Sequence, residues 1–216
     1  MTYYTKYLKY KNKYLDLKYY SGNMIGGADV EYTIENIYCF GTTSKYRKEI
    51  IDIINKINAA NPTILKIQNS YIIGTHITNL IKGISGVVLD KIYLDNFRSF
   101  GMHSMNIHSG NLEMTDLYKI ITYSNLKSIE LSNIKFAPED NLNLDQFTEK
   151  SNITELIIKM TTITDKQILQ LIKLCPNLVS ITIPQHIYLI PSAGSEPIPI
   201  LDQLKPIIPN VKITIN

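Results

Sequence analysis

Tryptophan is absent from this 216-residue chain, arginine is reduced to Arg47 and Arg98, and there are only five alanines. The two cysteines, Cys39 and Cys175, stand far apart, so no disulfide framework is implied. Arginine is the side chain best suited to reading phosphates and base edges, and its scarcity argues against specific nucleic-acid recognition. No apolar run approaches the roughly 20 residues needed to span a bilayer. The first twenty residues lack the apolar stretch of a secretory signal. These absences place the expected setting inside a cell, in a reducing compartment. The lone Asn152-Ile-Thr154 sequon is then incidental.

What fills the chain instead is 37 Ile, 20 Lys, 19 Asn and 15 Tyr. These residues share A- and T-rich codons, so much of the bias reflects a genome rather than a fold. At 44% hydrophobic and 19% charged the composition is that of a globular protein. The net charge of +3 is unevenly placed. Residues 1–20 hold five Lys and one acid (Asp16), while the remainder carries 17 basic and 18 acidic residues. The basic character belongs to the tail.

Three parts follow. In residues 1–20, Tyr3, Tyr7, Tyr10, Tyr14 and Leu17 are spaced 4, 3, 4, 3, which predicts one stripe of a helix. Residues 21–29 contain Gly22, Gly26 and Gly27 and read as a joint. The division is thus a basic tail and joint over 1–29 and a repeat domain over 30–216, with 30–61 as its N-terminal capping unit.

The domain is organised by an internal repeat of short apolar triplets. Leu89/Ile92/Leu94, Leu126/Ile129/Leu131, Ile153/Leu156/Ile158 and Leu178/Ile181/Ile183 share one spacing. Pro62/Leu65/Ile67 and Ile208/Val211/Ile213 are degenerate copies. The triplets predict parallel strands near 65–67, 92–94, 129–131, 156–158 and 181–183. Between them, Lys45–Asn58, Thr75–Ile84, Met114–Tyr123, Asp140–Glu149 and Thr164–Cys175 read as helices, the last with Thr164 and Asp165 as capping residues and Pro176 as its stop. A unit of this kind cannot bury its own apolar edge, so neighbours must stack. The fold class expected is α/β, a solenoid of short parallel strands with outer helices and irregular repeats.

The stretch Ile163-Thr-Asp-Lys-Gln-Ile-Leu-Gln-Leu-Ile-Lys-Leu-Cys-Pro-Asn-Leu-Val-Ser-Ile-Thr-Ile183 resembles the cysteine-containing leucine-rich repeat of F-box-associated proteins. The other repeats match only the strand core: Phe97, Ile134, Thr161 and His186 stand at the ninth position, where the family has Asn or Cys. Residues 3–27, from Tyr3-Tyr-Thr-Lys-Tyr-Leu8 to Ile25-Gly26-Gly27, resemble an N-terminal tag found on unrelated proteins of mimivirus-type giant DNA viruses. That second resemblance implies an address or processing signal, with Gly26 and Gly27 as the processing point. Tyr7, Lys9, Tyr10, Lys11, Lys13 and Tyr14 are the candidate address residues, read either as a solvated tail or as a segment that docks on a receptor or an anionic membrane surface.

Candidate chemistry is thin. His103 and His108, near Met102, Met105 and Met114, lack a third ligand at metal spacing. Cys175 falls at a core-facing helix end, where a thiol behaves as a small apolar group. Gly41-Thr-Thr-Ser-Lys45 lacks the phosphate-cradling arrangement and reads as a helix start capped by Ser44. No enzyme, cofactor or metal is expected. In a strand, alternate residues face opposite sides. Lys66, Tyr93, Glu130, Ile157, Thr182 and Lys212 therefore share one outward row, with Asp95 and Lys159 in the next. Lys66, Tyr93, Asp95, Glu130, Ile157, Lys159 and Thr182 are the candidate partner-binding residues of a concave face, with Tyr93 and Ile157 as its apolar contacts. The expected function is a non-enzymatic module binding a host or viral protein. Two alternatives stand beside it: a substrate-recruiting adaptor of a ubiquitin ligase, and a packaged virion component directed by its tag.

Overall fold

The computed structural model describes residues 29–39, 43–100, 111–123, 125–136, 150–184 and 204–215. The chain divides into two units, Met1–Val30 and Glu31–Asn216. The tail residues Tyr7, Lys9, Tyr10, Lys11, Lys13 and Tyr14, the Gly26-Gly27 pair, and the helix expected over 140–149 lie outside the described residues.

Residues 31–215 are a mixed α/β arrangement. In chain order the strands are β1 (Glu31–Glu35), β2 (Tyr38–Cys39), β3 (Ile64–Gln68), β4 (Tyr71–Ile73), β5 (Lys91–Asp95), β6 (Arg98–Phe100), β7 (Ser128–Ser132), β8 (Glu155–Lys159), β9 (Ser180–Ile183) and β10 (Lys212–Ile215). The helices are α1 (Ser44–Ala60), α2 (Gly74–Gly83), α3 (Met114–Ile121) and α4 (Asp165–Leu174). Seven strands form one sheet in the order β1-β3-β5-β7-β8-β9-β10, every neighbour parallel. A second parallel sheet has the order β2-β4-β6, and two isolated parallel bridges, Leu112–Phe136 and Lys135–Thr162, lie outside the named strands.

The apolar triplets explain the large sheet. Leu65, Ile92, Ile129, Leu156 and Ile181 pair in register across successive strands, and each is buried. Ile77, Leu80, Leu117, Ile120, Ile168, Leu171 and Ile172 from the helices join the same cluster. Helix α4 begins as its sequence indicates: the Gln167 N–H donates to Thr164 Oγ1 at 3.2 Å, and the Thr164 N–H donates back to Gln167 Oε1 at 3.0 Å. Helix α1 departs from expectation. Its cap is Thr43, whose extended backbone precedes the first helical residue, Ser44, and whose side chain makes no capping hydrogen bond.

Residues 30–61 carry the same strand, turn, short strand and helix order as the later units, so β1 is a full member of the large sheet. The last repeat is displaced by two residues from the sequence alignment. Ile213, not Val211, pairs with Ile181, because the turn over 204–211 delays the strand until Lys212. A two-residue shift preserves which side each residue faces.

A left-handed residue follows each of five long strands: Asn36, Asn69, Asn96, Asn133 and Met160. Asparagine tolerates this backbone region, whereas an ordinary side chain crowds its own carbonyl there. Met160 is also 73% exposed, so its side chain gains little from packing. Met160→Asn is expected to raise stability by about 1 kcal/mol, read from the shift in denaturant midpoint. Leu156, 2% exposed, lies at the centre of the core. Leu156→Ala should cost roughly 2–5 kcal/mol by the same measurement.

Candidate functional site on the open face of the sheet

The in-register pairing lines up Thr33, Lys66, Tyr93, Glu130, Ile157, Thr182 and Thr214 across the seven strands. The neighbouring row runs Gln68, Asp95, Ser132, Lys159. Lys66, Tyr93, Asp95, Glu130, Ile157, Lys159 and Thr182 are thus brought together on one face, and each is half-buried. Lys212 is the exception to the expected row. It pairs with Ser180 and belongs with Lys91, Ser128 and Glu155, a consequence of the two-residue displacement of β10.

Tyr93 is not a bare aromatic anchor. The Lys91 and Lys66 ammonium groups lie 4.5 and 5.2 Å from its ring centroid, within cation–π range. Those lysines are held in turn. Lys66 Nζ is 2.8 Å from a Glu31 carboxylate oxygen, and Lys91 Nζ is 3.9 Å from oxygens of both Glu130 and Glu155. Glu130 also accepts from Lys159 Nζ at 2.7 Å, and Ser128 Oγ donates to Glu155 at 2.6 Å. Asn133 Nδ2 donates to Asp95 Oδ1 at 2.7 Å. Beside the ring, a hollow of about 200 Å³ is lined by Lys66, Gln68, Tyr93, Asp95, Glu130 and Ser132.

Each exposed ion pair contributes little by itself. Their value lies in fixing side-chain geometry over five strands, β1, β3, β5, β7 and β8. Glu31 is not legible as a site residue in the sequence, because Glu31-Tyr-Thr-Ile-Glu35 falls within the expected capping unit. The alternation of that stretch, with Tyr32 and Ile34 turned inward, was the available signal.

Cys39 and Cys175 are buried and free. Burial pushes the Cys39 thiol from its ordinary 9.0 to about 12, reinforced by the Glu49 carboxylate. Burial likewise raises Cys175 to about 11, partly offset by a hydrogen bond from Ser151. His103, His108, Met102 and Met105 lie outside the described residues, and Met114 is buried in the core. Among the described residues no cluster of three His, Cys, Asp or Glu is placed to hold a metal. Among them, too, no helix is long and apolar enough to cross a membrane.

Compared with known proteins, the chain matches no family model and no curated sequence.

The buried thiols have a measurable consequence. Their folded pKa values lie above the unfolded one, so the stability they lend is intact below about pH 9 and declines as pH rises toward 11–12. Because the thiolate is the reactive form, iodoacetamide at pH 8 should leave both cysteines unmodified in the folded protein and label both in denaturant, as read by intact mass.

Proposed function

We propose that residues 31–215 are a leucine-rich-repeat solenoid that acts as a non-enzymatic protein-binding module, using the open face of its large sheet. The observation that carries this reading is the in-register row Lys66, Tyr93, Glu130, Ile157 and Thr182, half-buried on that face and flanked by fixed charges. Stacked repeats generally use such extended surfaces for recognition, which is support from architecture rather than from chemistry. The chemistry adds a constraint. Lys66, Lys91 and Lys159 are all engaged by carboxylates of the same face. A polyanion such as nucleic acid would have to displace those pairs. A protein surface that covers Tyr93 and Ile157 while hydrogen-bonding to Gln68, Ser132 and Thr182 would not.

The test is a pull-down with the intact chain and with Tyr93→Asp and Ile157→Asp. Both variants should keep the fold, with stability within about 1 kcal/mol of the parent, because both side chains point away from the core. Partner affinity should fall by about thirtyfold for a central contact. Raising salt from about 50 to 200 mM should change affinity only a few fold, against the roughly 10³–10⁵ of a phosphate-binding surface. Unfolding of Ile157→Asp, or partners retained by both variants, would overturn the assignment.

A further inference from the structure

Among the described residues the large sheet ends at β1 on one side and at β10 on the other. Residues of a parallel strand alternate the neighbour to which they bond. The Asn36 N–H reaches Gln68 and the Lys212 N–H reaches Val179. By that alternation Thr33 and Glu35 turn their backbone groups away from β3, and Ile213 and Ile215 turn theirs away from β9. Two such edges are ready templates for a further strand.

The two ends complement one another. Ile215 pairs with fully buried Ile183 yet is 44% exposed, and Ile207 nearby is 47% exposed. On the β1 side a groove of about 500 Å³ runs along the strand against α1, with Tyr32, Ile37 and Ile53 inside and Lys45, Asp52 and Lys56 among its charged residues. Continuing the sheet register from β10 of one copy into β1 of another places Lys212 opposite Glu31, Ile213 opposite Tyr32 and Ile215 opposite Ile34. Inward residues meet inward residues, and Lys212 meets Glu31, a carboxylate that Lys66 already holds and that two lysines can share, as Lys91 and Lys159 share Glu130. Lys212 is exposed and makes no ion pair among the described residues, unlike Lys66, Lys91 and Lys159.

We propose that copies of this chain associate head to tail, β10 of one pairing in parallel with β1 of the next. Such a contact joins two different surfaces and does not close on itself, so assemblies lengthen with concentration. Its backbone bonds lie at the sheet edges, while Glu31, which also holds Lys66 on the open face, is shared between the two surfaces.

Sedimentation velocity of the full chain over a concentration series tests this. Species larger than a dimer should grow in with concentration. Lys212→Glu and Glu31→Lys should each weaken association about fivefold or more, since each sets like charges face to face. An equimolar mixture of the two single variants should restore it, because every contact again joins opposite charges. Ile215→Pro removes an N–H that points away from β9 and should abolish assembly while leaving circular dichroism and Tm unchanged. A chain that stays monomeric at its highest soluble concentration overturns the proposal. So does a closed dimer, or assembly that survives Ile215→Pro.

Discussion

The large sheet depends on one backbone event, a left-handed turn at the residue after a strand. It occurs at Asn36, Asn69, Asn96, Asn133 and Met160. At the first four, the turned N–H donates to the last carbonyl of the following long strand: Gln68, Asp95, Ser132 and Lys159 respectively. Each turn therefore fixes the register of its own strand against the next and redirects the chain into the second ladder. A second bond reinforces it at two units, where a hydroxyl at the ninth position accepts from the preceding unit. The Ile37 N–H donates to Ser70 Oγ, and the Ile134 N–H to Thr161 Oγ1. After β9 the residue is Pro184, whose ring holds φ near −65° and supplies no N–H, so the device cannot repeat there.

The helices pack on their own terms, by close approach. A Cβ on Gly74 would lie 2.7 Å from an Asp116 carboxylate oxygen, and one on Gly83 would lie 2.5 Å from Ile54 Cδ1. Asp116 is 1% exposed, a costly place for a carboxylate. Two features offset that cost. Lys119 Nζ lies 2.7 Å from Oδ1, and the group sits against the first residue of α2, where the helix dipole favours negative charge. Tyr123 completes the layer by sharing its one hydroxyl proton between the carbonyls of Ile84 and Val87, closing the turn that leads toward β5.

The strands that the sequence made legible are those where two signals coincide: an apolar triplet and a helical segment between triplets. Ile92 and Leu94, and Leu156 and Ile158, fall in strands that extend one residue beyond the expected spans 92–94 and 156–158 at each end, with Leu89 and Ile153 buried two residues ahead of them. β1 was missed because only Tyr32 and Ile34 mark its inner side. The second sheet was missed because strands of two or three residues are too short to show a period. The asparagine signal was present, but at the eighth position of the repeat rather than the ninth. Row membership on the open face followed from alternation alone. The contacts did not, because Lys91 meets Glu155 only once the pairings of β5, β7 and β8 are known.

Those contacts decide where the molecule has interaction left to offer. On the open face charge is answered within the face: Glu31 by Lys66, Glu130 by Lys159 and Lys91. A partner there gains little from a new ion pair, since it must break one to make one. Its affinity has to come from covering half-buried surface, at Ile157 and around the Tyr93 ring, and from hydrogen bonds to uncharged groups. At the ends of the sheet the balance differs. Backbone donors and acceptors of Thr33, Glu35, Ile213 and Ile215 turn outward, Ile215 is 44% exposed where Ile183 is buried, and Lys212 has no carboxylate beside it among the described residues. Among the described residues, the same register that satisfies the interior of the sheet therefore leaves its outward-turned backbone groups at the two edges.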